Sequence, residues 1–246
     1  MSLILATLNI EHGRHLPELF EFISKEQPDI LCLQEVFALD VELIKNKLRY
    51  IGFFSPTTNF TESHGYAVDS RGIWGQMIML RLGLVEDNIN NMVQEHYYTG
   101  SRQDVSKFNN PESINHVLQV VRVKKDGRPY TIGNTHFTWS AMGQASKLQR
   151  QHFQALQQFL DLYPEMLLCG DFNAPRGGEI FQLFTKYFTD NLPPDIQTTI
   201  DKNFHYSGRD LKLAVDNIFS TPNYQLSNVR VICGLSDHCA VIGLVK

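Results

Sequence analysis

Residues 3–36 read LILATLNIEHGRHLPELFEFISKEQPDILCLQEV, and the order of patterns within them decides the fold class. Leu3 to Ile10 is a short apolar run suited to a buried strand. Leu16, Leu19, Phe20 and Ile23 then recur at helical spacing, with Pro17 tolerated in a first turn, so a helix with one buried stripe follows. Pro28-Asp29 ends it, and Ile30 to Leu33 forms a second buried strand. Asp40 offers a cap for another helix that turns Val41, Ile44 and Leu48 inward. Strand, helix, strand, helix in sequence implies α/β architecture.

Beyond this stretch the character changes. From Tyr50 to Val123 the apolar runs are short and β-rich, including Gly72 to Leu80 and His116 to Val123. Asp126-Gly127 between Val121-Arg122-Val123 and Pro129-Tyr130-Thr131-Ile132 is a hairpin signal. A helix is expected from about Ala145 to Leu160, then a strand at Met166 to Cys169 and a short helix from Gly178 to Tyr187. Strands at Leu213 to Phe219, Val229 to Ile232 and Cys239 to Val245 close the chain. Two polar loops, about 99–115 and 191–212, are long enough to suggest function or mobility.

With 246 residues, 43% of them hydrophobic, the chain can build one large core, and one domain over 1–246 is the expectation. A net charge of −4 with 20% charged residues argues against a surface that is basic throughout, while leaving room for a local basic groove. No apolar stretch approaches a membrane span, and Asn9 and Glu11 arrive too early for a secretory signal. Cys32, Cys169, Cys233 and Cys239 lack metal-type spacing and mostly fall in expected strands, so they read as reduced core thiols of a cytoplasmic protein.

Polar groups gather at the ends of the apolar runs. Glu35 closes Ile30-Leu31-Cys32-Leu33, where open α/β sheets bind ligands. Asn9 and Glu11 share one side of an emerging strand, and the Asn9 amide suits a phosphate or a ligand-orienting role. Asp171 and Asn173 repeat that spacing and could orient a water and stabilise charge on a phosphate oxygen. Asp216 lies inside an apolar run and needs a partner, for which His238 is the candidate; Asp237 then points elsewhere and suits a metal. His136 also ends a strand. Four strand ends delivering oxygen and nitrogen donors to one place could hold a hard divalent cation and an activated water. Each signal alone is better read as ordinary structure; their conjunction carries the inference.

Leu8-Asn9-Ile10-Glu11, Gln34-Glu35-Val36, Asn134-Thr135-His136-Phe137, Gly170-Asp171-Phe172-Asn173, Val215-Asp216-Asn217-Ile218-Phe219 and Ser236-Asp237-His238 occur in the order found in the endonuclease/exonuclease/phosphatase superfamily, which the chain resembles end to end. That group shares a fold with pancreatic deoxyribonuclease and exonuclease-type apurinic endonucleases. The resemblance implies a four-layer α-β-β-α sandwich with two packed mixed sheets, and Mg²⁺- or Mn²⁺-dependent hydrolysis of a phosphate ester. It implies Glu35 as main metal ligand with Glu11 and Asp237 beside it. Asp171 and Asn173 would position the water, Asp216 would hold His238, and His136, with Asn9 and Asn173, would meet the phosphate. One departure concerns an arginine that many members carry before the hairpin, where this chain has His116.

The leading expectation is therefore a monomeric metal-dependent phosphodiesterase or nuclease, with nucleic acid as the first candidate partner. Sphingomyelinase-like and phosphoinositide-phosphatase-type lipid enzymes are the alternatives, and a silent binding relative ranks below both. A nuclease would show steep salt dependence of binding, a lipid enzyme dependence on an interface. Tyr97, Tyr98, Arg102, Lys107 and Phe108 could form a stacking platform for single strands or only a surface loop. Lys147 and Arg150 read as an exposed helix face, Lys124, Lys125 and Arg128 as a solvated turn, and His12, His15, His64, His96 and His152 have no evident partner.

Overall fold

A computed structural model describes residues 2–60, 71–83 and 93–246, so His64 lies outside the described residues. The first half of the order is β1 (Leu3–Asn9), α1 (Leu16–Glu26), β2 (Ile30–Phe37), α2 (Val41–Leu48), β3 (Tyr50–Phe60), β4 (Gly72–Arg81), β5 (Val93–Thr99) and β6 (Ser106–Lys107). It continues with β7 (His116–Lys125), β8 (Arg128–His136), α3 (Lys147–Leu160), β9 (Leu167–Asp171), α4 (Glu179–Phe184), β10 (Thr189–Asp190), β11 (Asp216–Ser220), β12 (Leu226–Ile232) and β13 (Ala240–Val245). One sheet has the order β12-β13-β1-β2-β4-β3-β6 and the other β10-β11-β9-β8-β7-β5. In each, a strand–helix–strand unit supplies a parallel pair at the centre, β1 with β2 and β8 with β9.

The sheets face each other across a dry layer that includes Leu5, Ile30, Cys32, Ile78, Val121, Ile132, Leu167 and Ile218. Helices α1 and α2 cover the first sheet through Leu19, Phe22, Ile23 and Ile44, while α3 and α4 cover the second through Phe153, Leu156, Ile180 and Phe184. Burial of each such Leu, Ile or Phe is worth roughly 1.5–3 kcal/mol, which fixes the layer order without help from polar contacts. The expected four-layer sandwich is the observed one.

Local chemistry sets the element boundaries. Helix α3 starts at Lys147 because Ser146 Oγ accepts from Gln149 N at 3.0 Å and the Gln149 side chain answers Ser146 N at 3.3 Å. Strand β11 begins only at Asp216, because Leu213 and Ala214 give their carbonyls to Thr199 and Arg176 of neighbouring loops. Asp40 does not cap α2; its carboxylate takes a two-pronged ion pair from Arg71 at 2.8 and 2.6 Å. Gly170 permits the close approach of β8 and β9, since a Cβ there would meet the Thr135 carbonyl oxygen at 1.9 Å.

The cysteine expectation is corrected in part. Cys32 and Cys169 are buried free thiols, but Cys233 and Cys239 form a disulfide across the turn that leads into β13. The turn at Gly234 (φ 85°) folds the two together, with Cα atoms 4.2 Å apart. Among the described residues no helix is long and apolar enough to cross a membrane.

Candidate active site

Strand register brings the sequence motifs together. Asn9 lies opposite Gln34 in the first sheet, while Asp171 lies between His136 and Asp216 in the second. His238 precedes β13, which pairs with β1, so the last motif returns to the first. Glu35 sits in a bulge between the Leu33–Met77 and Val36–Gly75 pairings and has φ 58°. Bulges of this kind re-aim a side chain beside a site, and a left-handed glutamate persists only where its surroundings impose it. Glu11 (φ 43°), His12 (φ 61°) and Asn173 (φ 47°) share that strain.

Beneath these groups lies a layer of buried amides that joins the sheets. Gln34 Nε2 donates to Asn134 Oδ1 at 2.7 Å, and Asn134 Nδ2 donates to Gln119 Oε1 at 3.1 Å. Gln76 Nε2 donates to the Asn134 carbonyl at 2.7 Å, and Gln76 Oε1 accepts from the His136 backbone at 3.1 Å. Amides at this depth are costly unless paired, so this network, in which only Gln34 Oε1 of the four side chains lacks a partner, helps to specify the register that the site depends on.

Asn9 Nδ2 donates to Glu35 Oε1 and to Asp171 Oδ2, both at 3.1 Å, and Asn9 Oδ1 accepts from Glu11 N at 3.1 Å. The amide thus orients two acids, and its N–H groups are already committed rather than free for phosphate. Asp171 Oδ1 accepts from Asn173 N at 2.8 Å, while Oδ2 lies 3.5 Å from His136 Nε2 and 3.7 Å from His238 Nε2. Asn173 Nδ2 is turned to the Phe137 carbonyl at 2.9 Å. His238 Nδ1 meets Asp216 Oδ2 at 2.8 Å, and Thr199 Oγ1 donates to the same oxygen at 2.6 Å.

Burial opposes charge here and is overcome. It pulls the His238 imidazole down, but Asp216, Asp171 and Asp237 together lift it well above its ordinary value. Burial would raise the Asp171 carboxyl, yet His238 and His136 hold it at about 2. Glu35 behaves alike, lowered against burial by His12, His136 and the Asn9 hydrogen bond. Asp237 goes the other way, to about 7, because burial and the negative fields of Glu35 and Glu11 outweigh His238.

This excess of negative charge fits a divalent cation. Glu11 Oε2 is buried without a hydrogen-bond partner, and Glu35, Glu11 and Asp237 supply hard oxygen donors. Asp171, Asp216 and His238 also present donor atoms within 4.8 Å of one another. Asp216 Oδ2 already accepts from His238 and Thr199, whereas Asp216 Oδ1 is buried without a hydrogen-bond partner.

Other residues of the region were not anticipated. His12 Nε2 lies 3.2 Å from Glu35 Oε2, and His15 Nε2 lies 3.3 Å from Glu11 Oε2. The only hint in sequence is that both follow Glu11 within one turn. The loop at 191–212 flanks the site through Thr199 on Asp216 and Phe204 packed edge-on against His15 at 4.5 Å. His116 is no phosphate-facing substitute for arginine: it is 3% exposed, with Nδ1 2.8 Å from the His136 carbonyl oxygen. The candidate stacking platform is structural, since Phe108 stacks on Phe60, Tyr98 is buried and Arg102 pairs with Glu95. Arg150 pairs with Glu179 on the surface, and Lys125 leaves its turn to reach Asp29.

A two-sheet sandwich carrying acids and imidazoles on the ends of its central strands defines a class of phosphoester hydrolases. The model of the Endonuclease/Exonuclease/phosphatase family matches residues 6–238, and the chain belongs to that family of hydrolases, which generally uses divalent metals. Among solved structures, an endonuclease/exonuclease/phosphatase from Bacteroides vulgatus superposes with a TM-score of 0.73 at 17% identity, covering 100% of this chain and 99% of the other. The mannosyl-6-phosphatase of Bacteroides thetaiotaomicron gives 0.69 at 14% identity, covering 100% of each chain. D. rerio TDP2 complexed with a single-strand DNA product gives 0.69 at 16% identity, covering 100% and 99%. No curated protein sequence matches significantly.

Proposed function

We propose that the protein is a divalent-metal-dependent phosphodiesterase of the nuclease type, acting as one monomeric catalytic domain over residues 1–246. The observation that carries this reading is the position of Asp171, within 3.1 Å of Asn9, 3.5 Å of His136 and 3.7 Å of His238. Asp171, ionised at neutral pH, accepts a proton from an incoming water, and Asn173 fixes its orientation through the backbone hydrogen bond. His238, kept protonated by Asp216, and His136 face the phosphate and stabilise charge developing on its oxygens. Glu35, Glu11 and Asp237 would hold Mg²⁺ or Mn²⁺, which when bound supplies charge neutralisation for the phosphoryl group. Asn9 keeps Glu35 and Asp171 aligned.

A nucleic-acid strand is the proposed substrate ahead of lipid or sugar phosphates. Support comes from the motif set, and from a neighbour of the same fold that holds a single-strand DNA product. A cytoplasmic location is proposed from the buried free thiols Cys32 and Cys169, with the Cys233–Cys239 disulfide weighing against it; thiol-blocking mass spectrometry that finds this pair bonded in freshly lysed cells would overturn it.

The test is a panel of single-stranded DNA, RNA, bis-(p-nitrophenyl) phosphate, a hexose phosphate and sphingomyelin vesicles, each with Mg²⁺ and with Mn²⁺. Cleavage of the oligonucleotides and the diester is expected. Hydrolysis confined to the hexose phosphate or the vesicles would replace this reading, and no hydrolysis at all would remove it.

A further inference from the structure

His12 has no role in the account above, yet it is among the most deliberately held side chains in the molecule. Its φ of 61° costs backbone strain, which the surroundings must impose. Arg71 donates to the His12 carbonyl at 3.1 Å while gripping Asp40, and Asp40 Oδ2 fills the space 2.7 Å from where a Cβ of Gly13 would stand. The imidazole is walled by Phe37, Phe60 and Trp74, with ring centroids 5.3–5.9 Å away. Nδ1 is buried with no hydrogen-bond partner. Only Nε2 has polar company, namely Glu35 Oε2 at 3.2 Å. The other Glu35 oxygen is taken by Asn9, so the carboxylate presents a single oxygen on the His12 side.

From this geometry we infer that His12 Nε2 is a nitrogen ligand of the divalent cation held by Glu35, making the site one of mixed nitrogen and oxygen donors that prefers Mn²⁺-type ions to Mg²⁺. Adjacent donors of an octahedral ion with bonds of about 2.1 Å stand about 3.0 Å apart. The Nε2–Oε2 separation matches that edge. Imidazole favours transition ions, whereas Mg²⁺ takes oxygen. The inference rests on the cation reading above, and goes beyond it by naming a ligand and the selectivity it confers.

The experiment is electron spin-echo spectroscopy of the Mn²⁺-loaded protein, with ¹⁵N-histidine labelling, beside calorimetric Mn²⁺ and Mg²⁺ affinities for the parent and His12→Gln. Histidine nitrogen coupling is expected in the parent and absent in His12→Gln, with Mn²⁺ affinity down about tenfold or more and Mg²⁺ affinity changed less than about threefold. Absent coupling in the parent, which needs no variant, overturns the inference, as does failure to bind Mn²⁺. Coupling that survives in His12→Gln, or equal loss for both ions, also overturns it and leaves His12 as a hydrogen-bond donor to Glu35. None of these signals depends on turnover. Nitrogen-coupled Mn²⁺ without hydrolysis would sink the phosphodiesterase reading alone, and hydrolysis without coupling would sink this one alone.

Discussion

The two ends of β2 treat buried acid in opposite ways. Just before its start, Asp29 is fully buried and answered by Arg81, by Lys125 Nζ at 2.6 Å and by the backbone of Ile4 at 2.8 Å. At its far end, Glu35 meets only an amide and two imidazoles, and Asp171, Asp216 and Asp237 likewise form no ion pair with lysine or arginine among the described residues. A permanent cation closes a structural site. Acids left to imidazoles and to one another keep room for an exchangeable cation and a substrate. The contrast holds for Asp29 against Glu35, Asp171, Asp216 and Asp237; Glu11 spans the two, its Oε1 paired with Arg14 at 2.7 Å and its Oε2 left without a hydrogen-bond partner.

Three substitutions probe that contrast. The largest effect is expected at the active end. His238→Ala or Asp171→Asn should lower phosphodiester hydrolysis by about 10³-fold, some 4 kcal/mol of transition-state stabilisation, with melting near the parent's for Asp171→Asn and lowered for His238→Ala, which leaves Asp216 buried without its imidazole. A tenfold loss or less would place both among positioning residues. At the structural end the pattern reverses. Asp29→Asn strands Arg81 and Lys125, and because both are partly exposed the cost should be about 3 kcal/mol in denaturant unfolding, with activity per folded molecule unchanged. Equal loss of activity and stability would erase the distinction.

The smallest effect concerns His116, a buried base that belongs to neither group. Burial, with His136 and His152 nearby, lowers its imidazole to about 3 from an ordinary 6.5. The unfolded chain therefore takes up a proton below about pH 6.5 that the folded chain refuses, so stability present above that pH drains away toward pH 3. His116→Gln should flatten the acid side of the stability profile by up to about 1.4 kcal/mol per pH unit between pH 6 and 4. Identical slopes in urea titrations at pH 7, 6, 5 and 4 would show that His116 ionises freely.

Much of this division was legible in the sequence, for a physical reason. Acids that terminate apolar runs announce their position, because strand ends in a layered sheet converge; Glu35 and Asp171 were readable in this way. The pairing of His238 with Asp216 followed from the cost of burying a lone carboxylate. His12 was not readable, since its contact with Glu35 depends on a left-handed turn held by Arg71 and Asp40, far apart in sequence. The amide layer of Gln34, Gln76, Gln119 and Asn134 was equally hidden, because glutamine in a strand carries no signal until two sheets are stacked. The Cys233–Cys239 bond is not legible in sequence, because Cys233 lies in an exposed turn past the end of its strand and meets Cys239 only through the fold of that turn.

The central claim is that the converged acids act through a removable cation. Its most direct measurement is bis-(p-nitrophenyl) phosphate hydrolysis by the parent and Glu35→Gln, followed through chelation and metal return. The parent should lose activity when chelated and regain it with Mg²⁺ or Mn²⁺, while Glu35→Gln stays inactive in both metals. Hydrolysis that persists without metal, or that survives in Glu35→Gln, would contradict the account.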